Sequence, residues 1–272
     1  MDLLSTMLKN TKVAACYCVY DDYEFLQASV ESIIDYVDSI YFFVSFSRYD
    51  GKSFKNDNDT TLTVISNLIK QYKKCKLFRK DWKDQLLQRN EAIKTIEKDY
   101  EYCLIIDADE IWDEGSIKGL LHYMRKHPNV DVFTTRFYTY YKSLKYRIAP
   151  IQNLKATSLI KTKVRLTCTR GTKGAKYVVR DIPPWHVCWH HPSHVRSDEK
   201  MKIKWEIANH ESNCRADWYE KYWLNWTPEM INFHPEKPDE FHSVVEIFKS
   251  DLPTHLHNIF ERESSQRKKL EN

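Results

Sequence analysis

Glycine is scarce in this chain, 5 residues in 272. That excludes a glycine-rich phosphate cradle of the P-loop kind and a dinucleotide fingerprint, both of which need several glycines at fixed spacing. A charge excess is missing too. The 42 basic and 38 acidic residues leave a formal net charge of +4, too balanced for the footprint of a general nucleic-acid binder. No run is long and apolar enough to span a membrane, and the first eleven residues are too short and mixed for a secretory signal. The 7 cysteines form no CxxC pair. An odd, unpatterned set reads as reduced thiols, and the expected location is cytoplasmic.

What the chain has in quantity is aromatic residues, 14% of the total with 8 Trp and 17 Tyr. Most must be core, but flat amphipathic rings also stack on sugars and bases. Val13 to Tyr20 is an apolar run ending at Asp21-Asp22. Leu26, Val30, Ile33, Ile34 and Val37 then recur at helical spacing, and Ser39 to Ser45 reads as a second strand. This β-α-β beginning predicts a mostly parallel sheet flanked by helices. Further helices are expected over 61–72, 84–98 and 115–126, and strands at 76–78, 102–106 and 131–141. Short β-like runs at 158–160, 163–166 and 176–179 predict antiparallel additions to the sheet. Lys161, Lys163, Arg165, Arg170, Lys173 and Lys176 read as a solvated basic face. C-terminal helices follow, including an amphipathic one over 246–262 broken near Pro253 and a frayed end from Ser264 onward. The whole reads as one domain, 1–272, with a first half at 12–140, a second at 141–235 and a helical tail at 236–272.

The most informative stretch is Leu104-Ile105-Ile106-Asp107-Ala108-Asp109-Glu110. A buried strand runs into three acids within four residues. Like charges so close repel unless something positive joins them, and a divalent cation with phosphate is one such partner. In extended chain Asp107 and Asp109 would point to the same side. The carboxyl end of a central strand is also where open α/β sheets keep their ligands. The bland alternative is an acidic turn before a helix N-terminus. Upstream, Leu86, Ile93 and Ile96 make a helical stripe that carries Arg89, with Asn90 at its border. A core-facing guanidinium needs a reason, either a diphosphate or an acidic loop nearby. Downstream, His186, His190, His191 and His194 fall within nine residues, between and after Trp185 and Trp189. Imidazole is a common metal ligand, so His186 or His190 could complete a site begun by Asp107 and Asp109.

In this order the motifs resemble the GT-A glycosyltransferases, most of all family 2. The carriers are Gln88-Arg89-Asn90-Glu91-Ala92-Ile93 followed by Leu104 to Glu110. Trp185-His186-x-Cys188-Trp189, then Lys202 or Lys204 and His210-Glu211, is more loosely similar to family 17 N-acetylglucosaminyltransferases. Two departures stand out. The loop after the second strand reads Ser45-Phe46-Ser47-Arg48-Tyr49-Asp50 where an Asp-x-x-Ser-x-Asp pattern is usual, and no Glu-Asp type base motif follows.

The resemblance implies a GT-A type, Rossmann-like sheet and a nucleotide-diphosphate sugar donor, UDP being the expected nucleotide. It also implies Mn²⁺ (or Mg²⁺) on the diphosphate, a glycan or other hydroxyl acceptor, and inverting transfer. Asp109 would be a metal ligand, with Asp107 on the ribose or the metal and His186 or His190 a further ligand. Tyr20, Asp21, Ser47, Asp50, Arg89 and Asn90 would serve the nucleotide. Glu206, His210, Glu211 and Asp198 are the candidate general bases for the acceptor hydroxyl. Trp185, Trp189 and Trp205 are candidates for sugar stacking. Two other classes compete: a metal-dependent nucleotidyltransferase or phosphohydrolase, which also needs paired carboxylates, and a non-catalytic glycan- or protein-binding module.

Overall fold

A computed structural model describes the backbone of residues 11–47, 59–211 and 214–270, and the side chains of these except 207–211 and 266–270. The chain divides into two compact units, residues 1–135 with 155–188, and residues 136–154 with 189–272.

The first unit holds the parallel sheet. Strands β1 (Val13–Val19), β2 (Ser39–Val44) and β3 (Cys75–Arg79) run parallel, and β4 (Tyr102–Ile106) is parallel to β1 on its other side. β1, β2 and β4 are buried at every residue, so both faces of the sheet are covered, which is why they read as unbroken apolar runs. The first residues of β5 (Val132–Tyr141) add to β7 (Ala156–Lys161), which runs antiparallel to β4, as expected. β8 (Val179–Asp181) instead pairs parallel with β5. The strand expected at 163–166 is absent; those residues follow a turn. Helices α1 (Leu26–Ile33), α2 (Asp59–Gln71), α3 (Gln85–Ile96) and α4 (Glu114–Lys126) belong to this unit.

Strand order fixes where a ligand can sit. From β1 the chain moves outward through β2 and β3, then returns to the opposite side of β1 for β4. The crevice at the carboxyl ends of β1 and β4 is therefore the switch point of the sheet, the usual ligand position in open α/β folds. Tyr17 pairs with Ile106 and Val19 with Val44, so Tyr20-Asp21, Ser45 to Ser47 and Asp107 all emerge at that edge.

The second unit is built on the rest of β5. β6 (Ser143–Ala149) pairs antiparallel with β5, and β10 (Ser243–Glu246) with β6; β9 (Cys188–His194) also pairs with β5. Its core gathers Tyr141, Ile148, Met201, Trp218, Trp223, Phe233 and Phe241, which absorbs much of the chain's aromatic excess. α5 (Asp198–Glu211) and α6 (His257–Leu270) complete it. The helix expected from 246 to 262 is instead two short 3-10 turns followed by α6, which continues to Leu270 where a frayed end was expected. Pro253 explains the late start, because it cannot donate within a helix interior. Among the described residues, no helix is long and apolar enough to cross a membrane.

Candidate active site

The acids after β4 do not continue as extended chain. The Glu110 amide donates to the Asp107 carbonyl at 3.1 Å, so residues 107–110 close a tight turn. Strand alternation therefore does not set the directions of Asp107 and Asp109; the turn does. Ser29 of α1 holds this turn from beneath. Its hydroxyl donates to the Glu110 carbonyl at 2.6 Å and lies 3.0 Å from the Tyr17 hydroxyl of β1. Trp112, fully buried, closes the far side, its amide donating to the Ser32 hydroxyl at 3.1 Å.

Two arginines pair with the acids of the turn. α3 starts at Asp84, whose carboxylate accepts from the Leu87 amide at 2.7 Å, an N-cap of the common kind. That start turns Gln88, Arg89, Ala92, Ile93 and Ile96 inward. Gln88 donates to the Phe43 carbonyl at 2.8 Å. Arg89, 2% exposed, donates from Nη2 to Asp107 Oδ1 at 2.6 Å. Arg170 donates from Nη1 both to Asp107 Oδ2 at 3.0 Å and to Glu110 Oε1 at 2.6 Å. Burial pushes the Asp107 carboxyl up, but the charges of Arg89 and Arg170 outweigh it and hold it below the usual carboxylate range. Burial opposes the Arg89 charge, yet Asp107 keeps that guanidinium firmly protonated. Asp109 and Glu110 are both buried, at 5% and 1% exposure.

The other predicted residues are placed variously. Tyr20 and Asp21 stand at the carboxyl end of β1, Asp21 with a left-handed φ of 44°, a conformation that asparagine and aspartate tolerate better than most. The Ser47 amide and hydroxyl both donate to Asp81 Oδ1 at 2.9 Å, which ties the loop after β2 to the segment after β3. Asp50 lies outside the described residues. Asn90 exchanges two hydrogen bonds with the Leu166 backbone, at 2.8 and 3.0 Å, so it anchors the loop that carries Arg170.

The histidines are not arranged on one extended segment. Residues 183–187 form a turn, with the His186 amide donating to the Pro183 carbonyl at 3.0 Å. His186 is exposed, its ring 5.4 Å from that of Tyr123. His190 is buried in the second unit with Nδ1 2.6 Å from the Tyr140 hydroxyl. Among the described residues no three His, Cys, Asp or Glu side chains group as a metal cage. Asp198 accepts from Trp223 Nε1 at 2.8 Å and from Lys142 at 3.0 Å. Glu206 is exposed on α5, and the side chains of His210 and Glu211 lie outside the described residues. Trp189 is a core residue stacked on Phe137 at 4.5 Å, so it offers no face to a sugar; Trp185 is 79% exposed.

Arg170, which the sequence pattern places on a solvated basic face, is instead a participant in the site. It sits in a turn without periodicity. The one available signal was the charge excess of the acidic turn, which required a second cation beyond Arg89.

The model of glycosyl transferase family 2 matches residues 15–181, more than half of the chain. No curated protein sequence matches. Among solved structures, TarS of S. aureus is similar at a TM-score of 0.48 and 13% identity, over 79% of this chain and 43% of TarS. This chain thus spans less than half of that protein. A 4-diphosphocytidyl-2C-methyl-D-erythritol synthase from Anaerococcus prevotii gives 0.42 at 9% identity, over 75% of this chain and 99% of that one. Glucosyl-3-phosphoglycerate synthase from Mycobacterium tuberculosis, in complex with Mg²⁺ and uridine-diphosphate, gives 0.34 at 12% identity, over 49% and 46%. These likenesses are too slight to carry an argument, and the family match is what decides. It stops before Trp185, so the family 17 likeness rests on its sequence pattern alone. It begins in β1, ends in β8 and takes in Arg89, the acidic turn and Arg170. On that match, the chain belongs to glycosyl transferase family 2.

Proposed function

We propose that this chain transfers a sugar from a nucleotide-diphosphate sugar, with UDP the expected nucleotide, to a hydroxyl of a glycan acceptor, with inversion. One observation carries the reading: an acidic turn at the switch point of the sheet, backed by a buried arginine, within the segment that defines the family.

The residues fit a divalent cation. Arg170 Nη1 is held at once by Asp107 Oδ2 and Glu110 Oε1, so two carboxylates already converge on one positive point. The donors are carboxylate oxygens, which suit Mg²⁺ or Mn²⁺. Asp109 is the residue proposed to hold the cation, with Asp107 on the metal or the ribose. When bound, the cation would stabilise charge on the departing diphosphate as a Lewis acid. Arg89 contributes a permanent positive charge beneath the turn. Its burial means that it orders Asp107 rather than reaching into solvent. Tyr20 and Asp21 are proposed for the base. The acceptor's proton is proposed to leave to Glu206, His210 or Glu211; Asp198 is committed to Trp223 and Lys142. Trp185 is the aromatic face proposed for the acceptor.

The test is a thermal-shift and turnover screen with UDP-sugars. Stabilisation is expected when UDP and MnCl₂ are present together, and Asp109→Ala is expected to abolish transfer while leaving a cooperative unfolding transition. Full turnover in Asp109→Ala, or no response to any nucleotide diphosphate with metal, would overturn the proposal.

A further inference from the structure

Arg170 lies on an exposed hairpin turn. Cys168 and Gly171 form an isolated antiparallel bridge, and the Thr167 amide donates to the Gly171 carbonyl at 2.9 Å. A Cβ at position 171 would come within 2.8 Å of Cys168 Sγ, so glycine keeps this turn tight. The hairpin is anchored at its base by Asn90 through Leu166. The Arg170 side chain runs inward, where it is 16% exposed against a Glu110 side chain at 2%. A single guanidinium nitrogen thus occupies the point where Asp107 and Glu110 converge.

The arrangement leaves donors unmet. Arg89 Nε, Arg89 Nη1 and Arg170 Nε are buried and have no hydrogen-bond acceptor among the described residues. Unmet buried donors of this kind are destabilising. The Arg170 guanidinium thus keeps an N–H group to spare for an anionic acceptor. A nucleoside diphosphate supplies such acceptors, and its cation would need the carboxylates that Arg170 now holds.

We infer that Arg170 is a tethered cation standing in the place of the divalent metal, and that metal and nucleotide bind by displacing it from Asp107 and Glu110. This rests on the reading of the acidic turn as the metal site, and it assigns Glu110 as a ligand of that metal. In the resting protein Arg170 offsets part of the three-carboxylate charge; after exchange the divalent ion does so, and the released guanidinium is free to pair with the diphosphate. The hairpin acts as a gate, because a cation joined to the chain must leave before a free one can enter.

The experiment is Mn²⁺ titration followed by the loss of the free-ion EPR signal, with and without UDP, on the full chain. The variants are Arg170→Gln, Arg170→Lys, and Arg170→Gln combined with Glu110→Gln. Arg170→Gln is expected to bind Mn²⁺ at least about tenfold more tightly than the native chain, roughly the effect of 1.4 kcal/mol. Arg170→Lys keeps the charge and should stay near the native affinity, and the double variant should lose the gain. Unchanged or weaker binding in Arg170→Gln overturns the inference while leaving the metal reading intact. No Mn²⁺ binding by any form, with or without UDP, removes both. Should Arg170→Gln not fold without metal, recovery of a cooperative transition on adding MnCl₂ supports the inference, and no recovery overturns it.

Discussion

Asp107 and Arg89 are not equivalent partners, and the asymmetry predicts how the protein responds when each is removed. Arg89 is 2% exposed and its one hydrogen bond among the described residues goes to Asp107. Asp107 has a 27% exposed side chain and keeps Arg170 at 3.0 Å when Arg89 is gone. Asp107→Ala leaves a buried guanidinium without its acceptor, and breaking a buried pair in this way costs about 3–5 kcal/mol. Arg89→Leu removes the buried charge, fills most of its volume with carbon and leaves Asp107 paired, so a loss of about 1–2 kcal/mol is expected. The double variant should be about as stable as Arg89→Leu alone, because the stranded charge is absent. The cycle then shows a coupling of about 3–5 kcal/mol, the whole Asp107→Ala loss, well above the ~0.5 kcal/mol found between independent sites. Urea unfolding of all four proteins measures this, provided the m-values agree. Equal losses in the two single variants that simply add would refute the argument.

A second prediction concerns pH. His234 Nδ1 accepts from the amides of Glu236 and Lys237 at 3.1 and 3.0 Å, and burial pushes its pKa from 6.5 down to about 4. Between those values the unfolded chain binds the extra proton and the folded chain does not. Stability therefore falls as pH drops from 6.5 toward 4, by at most of order 3 kcal/mol. His234→Gln should flatten denaturant stability across that window, and an unchanged slope would count against it. The depressed Asp107 carboxyl adds a separate loss at lower pH, as pH falls through its folded pKa. Gly119→Ala should destabilise by about 1–3 kcal/mol despite alanine's better helix propensity. Its Cβ would stand 2.9 Å from the His186 carbonyl oxygen, which is backbone and cannot move aside. Ser29→Ala should cost about 1–2 kcal/mol, since it strips the Glu110 carbonyl of a buried donor at 2.6 Å; a loss below ~0.5 kcal/mol would show that the turn does not depend on α1.

The parallel strands of the sheet are legible in the chain's own pattern. Strands β1, β2 and β4 are buried on both faces, so their apolar runs are continuous and visible without a partner strand. The stripe of α3 is set by its own 3.6 period, which is why Arg89 could be marked as an inward cation and paired with the acids eighteen residues on. What lacked local periodicity was decided by tertiary structure. Residues 163–166 alternate like a strand, but no neighbouring edge takes them, and they become the base of a hairpin. The spacing of His186 and His190 suggested one face, but a turn at 183–187 separates them. Trp189, Trp218 and Trp223 of the second unit went to the core because an aromatic ring gains more from full burial than from an open face. The acidic turn itself was legible as charge in want of a partner. That the partner is Arg170, sixty residues later in a stretch with no pattern, is a long-range fact: opposite charges are matched by where the chain returns, and only the folded structure fixes that return.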